Sequence, residues 1–142
     1  MNRTDPTYAH SGRTVDILLF EPFGAGQCSL QRHLLLRNDV HVAGMAPSTA
    51  LLGALAQLTP PDVVVAHHVE PFALARALPS LRAEVPGAKV LAVHHGTAPT
   101  TPAVLRLAGA HRVLACDDAM EMLVPLLHAL AASPAVFQLD AR

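Results

Sequence analysis

The sequence predicts an α/β protein built on a doubly wound, five-stranded parallel sheet. Three observations carry that reading. Five short apolar runs alternate strictly with five stretches of helical spacing. The runs are near-continuous Val, Ile, Leu and Ala, the composition of strands buried on both faces. A helix-length segment separates each run from the next, which joins parallel strands by right-handed crossovers.

The first strand is TVDILLF (residues 14–20), ended by a Pro-Phe-Gly-Ala-Gly turn that matches no Walker or dinucleotide pattern. SLQRHLLLR (29–37) has helical spacing, and VHVAGM (40–45) is the second strand. STALLGALAQL (48–58) is a helix with Ser48 as its N-cap. Pro60 and Pro61 introduce the third strand, DVVVAH (62–67). PFALARALPSLRAEV (71–85) is a helix that opens with proline in a permitted first-turn position. Its interior Pro79 is expected to kink or split it. KVLAVHH (89–95) is the fourth strand. TPAVLRLAGA (101–110) starts on a Thr-Pro cap and stops at Gly109. RVLAC (112–116) is the fifth strand. DAMEMLVPLLHALAAS (118–133) is the last helix, with Pro125 as a second expected kink and Asp117 and Asp118 as its caps. Residues 1–13 read as a flexible tail, 14–132 as the domain and 133–142 as the start of a linker or a C-terminal tail.

A chain of 142 residues suits one domain with one core. It is 51% hydrophobic and 15% charged, which favours a packed globule over disorder. A net charge of −1 offers no basic surface for a phosphate backbone. The two cysteines, Cys28 and Cys116, lie far apart with no CxxC spacing, so a disulfide scaffold is not indicated. The polar N-terminus lacks the apolar segment of a signal peptide, and no apolar stretch approaches the roughly 20 residues of a membrane helix. The expectation is a cytoplasmic protein that needs no cofactor.

The economical architecture is a flavodoxin-like sandwich, whose chemistry gathers at the carboxyl ends of the strands. Two strands there end in histidine pairs, His67-His68 and His94-His95. Glu21 follows the first strand and Cys116 closes the fifth. Imidazole and thiolate are zinc or copper ligands, and His67, His94 and Cys116 are the set such a site would use. Adjacent residues of a strand point to opposite faces, so His67-His68 supplies one ligand rather than two. Three readings stay open: histidines that fill a vacated pocket, a small-molecule site, and a metal site. A histidine could also activate the thiol, but no oxyanion-hole motif or orienting third group is recognisable. Glu21 would favour a protonated imidazole across the pocket. Cys28, His33, His41, His111 and His128 receive no function.

Five segments, in their order and spacing, carry a resemblance: DILLFEP, VHVAGMAPSTALLGAL, PPDVVVAHHVEP, LRAEVPGAKVLAVHH and LRLAGAHRVLACDDAMEMLVPLL. Together they resemble the receiver domain of bacterial two-component response regulators, in particular the kind that precedes a helix-turn-helix output domain. The resemblance covers residues 14–132 and implies the (βα)5 receiver fold. Such receivers take a phosphoryl group on an aspartate at the end of the third strand. Two acids hold Mg²⁺ beside it, and a Ser or Thr and a Lys meet the phosphoryl oxygens, because that group in transfer needs cations and hydrogen-bond donors around it. The resemblance places His67 at the acceptor position, Glu21 followed by Pro22 at the acidic pair, His94 at the hydroxyl position and Cys116 at the lysine position. Lys89, the only lysine, starts the fourth strand at the opposite end of the sheet.

The resemblance thus implies a degenerate pseudo-receiver, not an enzyme, in an orphan transcription regulator. It implies DNA binding through an output domain absent from this chain. It also allows a small-molecule effector in the vacated pocket, with His68 and His95 as further contacts. The last helix is too apolar for a helix with one face in water. A homodimer is expected, either through the fourth helix, fifth strand and fifth helix or through the fifth helix with the first. Leu105, Met120, Leu123 and Leu127 are its interface candidates. The rival expectation is a stand-alone ligand- or metal-binding protein of flavodoxin-like fold using His67, His94 and Cys116.

Overall fold

Apolar runs of this kind can hide all their side chains only if both sheet faces are covered, and that is how the chain folds. The computed structural model describes residues 14–22, 30–68 and 70–133. The elements are β1 (Val15–Phe20), α1 (Leu30–Leu35), β2 (Val40–Ala46), α2 (Thr49–Leu58), β3 (Val63–His68), α3 (Pro71–Glu84), β4 (Lys89–His94), α4 (Thr101–Ala108), β5 (Arg112–Ala115) and α5 (Cys116–Ala132). All strand pairs are parallel, in the order β2-β1-β3-β4-β5. The chain winds outward from β1 to β2, then returns to β3 and winds the other way. That reversal opens a crevice beyond the carboxyl ends of β1 and β3.

Two apolar layers flank the sheet. On one face Ile17, Leu19, Val63, Val65, Leu91 and Val93 pack against Leu30 and Leu34 of α1 and Leu123 and Leu127 of α5. On the other, Leu18, Val64, Ala66, Val90 and Ala92 meet Leu52 of α2, Leu74, Leu78 and Leu81 of α3 and Leu105 of α4. Each fully buried Leu or Val contributes about 1.5–3 kcal/mol over its exposed state, so these layers fix which helix lies on which face.

The local signals act unevenly. Ser48 caps α2 by accepting from the Leu51 N–H at 3.2 Å. Gly109 ends α4 at φ 134°, a conformation that a side chain would strain. Glu70, which the sequence did not single out, caps α3 by accepting from the Phe72 N–H at 2.8 Å. The expected break at Pro79 does not split α3, and α5 runs through Pro125. Both prolines are exposed. The missing hydrogen bond therefore falls on the solvent side, while buried Leu78, Leu81, Val124 and Leu127 hold the helices on the sheet.

Other expectations need correction. α4 is preceded by Thr100, which makes no side-chain cap bond, and Thr101 lies inside the first turn. Cys116 belongs to α5 rather than to the fifth strand. Asp117 and Asp118 sit in that helix's first turn behind Ala115 and do not cap it, although their charge suits the site. Three proposed interface residues, Leu105, Leu123 and Leu127, are 0% exposed and form core instead. Only Met120, 37% exposed, reaches the surface among the four. The apolar character of α5 reflects the width of sheet it must cover. Residues 1–13 and 134–142, the turn after Pro22 and Cys28 lie outside the described residues.

Candidate functional site

Side chains alternate along β3, so Val63, Val65 and His67 share the α1/α5 face, and Val64, Ala66 and His68 share the other. The β3–β4 register then decides which histidines meet. His67 lies opposite Val93, and His68 opposite His94. His94 is therefore on the face of His68, and the expected set of His67, His94 and Cys116 is not assembled. The next residue on the correct face is His95. The structure groups His67, His95 and Cys116, whose ligand atoms all lie within 4.8 Å of one another.

A hydrogen-bonded row runs through this group. The Glu21 carboxylate accepts from His67 Nδ1–H, at 2.7 Å. His67 Nε2 faces His95 Nε2 at 2.9 Å, so these two nitrogens share one proton between them. The His67 side chain is 0% exposed and Glu21 nearly buried, whereas His95 opens to solvent. Burial holds the His95 pKa below its usual value, and His67 adds to this while Asp117 opposes it.

On the opposite face the other two histidines serve the backbone. His94 Nδ1 accepts from the Gly96 N–H at 3.0 Å, and His68 Nδ1 accepts from the Glu70 N–H at 2.9 Å. A nitrogen that accepts carries no proton, so both rings are neutral with their protons on Nε2. Burial depresses the pKa of each, which agrees with that state. Gly96 is closely packed here, since a Cβ would lie 2.8 Å from Pro71 Cγ and 3.0 Å from Thr101 Oγ1, so a larger residue would force a shift. A mostly apolar cleft opens beside it, lined by Pro71, Phe72, Thr101, Val104 and Leu105.

Lys89 lies far from these groups along the sheet. It begins β4, is 7% exposed, and donates from Nζ to the Leu130 and Ser133 carbonyls at 3.2 Å each. It thus closes the C-terminal end of α5 instead of meeting an anion beyond the strands. His111 accepts from the Val90 N–H at 2.9 Å, His41 pairs with Asp16 at 3.0 Å, and His128 pairs with Asp39 at 3.2 Å. These are structural contacts away from the carboxyl ends of the strands.

The sheet order and this site can be set beside known structures. The signal receiver domain of the response regulator NarL from Mycobacterium tuberculosis superposes with a TM-score of 0.62 at 21% identity, over 85% of this chain and 99% of that one. The response regulator domain of Thermotoga maritima CheB gives a TM-score of 0.68 at 16% identity, over 86% and 99%. The chain has the receiver fold. RcsB of Salmonella typhimurium, in a structure concerned with its DNA interaction, gives 0.67 at 11% identity, and this chain spans 60% of that one. At these identities the likeness is one of fold. No family model matches the sequence, and no curated protein does.

Sequence reasoning named every member of the group but paired them wrongly. Aligning the two His-His pairs by their place in the sequence set His67 beside His94. The signal that finds His95 is the alternation rule itself, applied to the β3–β4 register.

Proposed function

We propose that this domain is a pseudo-receiver, a regulatory domain of a transcription regulator that works without phosphorylation. One observation carries the reading. At the end of β3, where a receiver has its acceptor aspartate, stands a buried imidazole already engaged on both nitrogens. Its surroundings agree. Glu21 is followed by Pro22, so no acidic pair follows β1, and its carboxylate is bonded to His67. The one lysine is a helix cap at the other end of β4. Among the described residues, a phosphoryl group arriving here would find no acidic pair for Mg²⁺ and no ammonium to meet its oxygens.

Regulation would then run through association. Exposed Val104 and Leu107 on α4 and Met120 and Met122 on α5 give these helices apolar surface for a homodimer. The cleft beside Gly96 has the apolar lining of a small-effector site. DNA would be reached through an output domain, as the likeness to RcsB suggests by analogy. The test is incubation with a small-molecule phosphoryl donor and Mg²⁺, read by intact mass and by phosphate-affinity gel. No modified species is expected. Stable phosphorylation of this domain would overturn the reading.

A further inference from the structure

We propose that His67, His95 and Cys116 form a zinc site, with Glu21 as the outer partner that orients His67. The inference stands on side-chain geometry and does not depend on the regulatory reading. Three donors of the right chemistry converge, their ligand atoms all within 4.8 Å. Tetrahedral zinc, with bonds of about 2.0–2.1 Å to nitrogen and about 2.3 Å to sulfur, holds its ligands roughly 3.3–3.6 Å apart. The two imidazole nitrogens, now 2.9 Å apart, need to open by only about 0.4 Å to reach that spacing.

The second observation is the carboxylate. The Glu21 carboxylate accepts a hydrogen bond from His67 Nδ1–H at 2.7 Å, which leaves the Nε2 lone pair facing His95, with a Cys116 ligand atom within 4.8 Å of the group. A carboxylate behind a histidine is the arrangement that fixes tautomer and ring direction in zinc sites. A third observation concerns the thiol. Cys116 is the first residue of α5, a helix of 17 residues. The positive end of its dipole lowers the cost of a thiolate there. The site also has the right charge, since one thiolate and Glu21 balance one Zn²⁺.

Two nitrogens and a sulfur select a borderline or soft ion over Mg²⁺. Burial grades from His67, fully covered, through Cys116 to His95 at the surface, so an ion reaches the site past His95. On binding, Cys116 loses its thiol proton to solvent and His95 carries its remaining proton on Nδ1. One proton is released per zinc. Three protein ligands leave a fourth position for water or an anionic effector. Both apolar layers close without the ion, so the domain is expected to stay folded in chelator.

The test uses the purified chain after chelator treatment, titrated with Co²⁺ by absorption and with Zn²⁺ by calorimetry. One equivalent of Co²⁺ should give a thiolate-to-cobalt charge-transfer band that Zn²⁺ abolishes. His95→Ala and Cys116→Ser should each remove the band and weaken Zn²⁺ binding by about a hundredfold or more, and Glu21→Gln by about 10- to 100-fold with the band retained. His94→Ala and Cys28→Ser should leave binding unchanged. Circular dichroism checks that each variant folds. Absence of the band, or zinc binding indifferent to His95→Ala and Cys116→Ser (an adventitious ion only), would overturn the proposal. Either failure leaves the phosphoryl-donor result as it stands, so the two readings fail separately.

Discussion

Replacing Lys89 by methionine removes the chain's only lysine while keeping an unbranched apolar stem of similar length. The lost interactions are two hydrogen bonds from Nζ to the Leu130 and Ser133 carbonyls, 3.2 Å each, at the negative end of α5. Bonds from a charged donor contribute about 1.5–3 kcal/mol each, and a cation at a helix C-terminus about 0.3–1 kcal/mol. Against this, taking an ammonium out of water costs several kcal/mol. The freed carbonyls lie at a helix end and recover water in part. The balance is a destabilisation of about 2 kcal/mol. For a domain of this size that lowers Tm by roughly 6–8 °C. Thermal and urea unfolding followed by circular dichroism measure it.

The pH dependence has a definite sign. Burial holds the Lys89 pKa below its ordinary 10.5, with Asp62 opposing. Between the folded value and 10.5 the unfolded chain binds more protons than the native one. Stability from this group therefore rises with pH through that window, and at lower pH the burial penalty is fully present. The gap between wild type and Lys89→Met should be wider at alkaline pH than at neutral pH. A methionine variant as stable as wild type would refute the assignment of Lys89 as a stabilising cap, and a gap that narrows on raising the pH would refute the lowering of its pKa by burial.

Two further substitutions separate surface from core. Leu107, 89% exposed, should tolerate Leu107→Glu within about 0.5 kcal/mol in unfolding experiments. Sedimentation velocity should show weaker association if the proposed homodimer forms through α4, and unchanged association would remove α4 from that proposed interface. Leu123→Ala, at a site with 0% exposure, should cost about 2–5 kcal/mol in urea unfolding. A loss below about 1 kcal/mol would mean that α5 does not pack as described.

Much of this architecture was legible in the sequence because its signals are local. Continuous apolar runs such as DVVVA and KVLAV mark strands covered on both sides, and intervening helical spacing fixes parallel pairing. The order of elements alone brings Glu21, His67, His95 and Cys116 to the same end of the sheet. Strand alternation also puts His67 and His68 on opposite faces, a consequence of their adjacency alone.

What the sequence could not decide depends on long-range register and packing. The offset between β3 and β4 is set by how two distant strands seat their side chains in two layers. A shift of one residue exchanges His94 for His95 across the sheet. Leu105, Leu123 and Leu127 look like Leu107 in composition, and only docking against the sheet buries the first three and exposes the fourth. Lys89 finds its carbonyls 41 and 44 residues away. The sequence by itself determined the fold and gathered the chemistry at one end of the sheet. The tertiary structure chose which imidazoles face each other, because that choice is made by the pairing of strands and not by the order of residues along them.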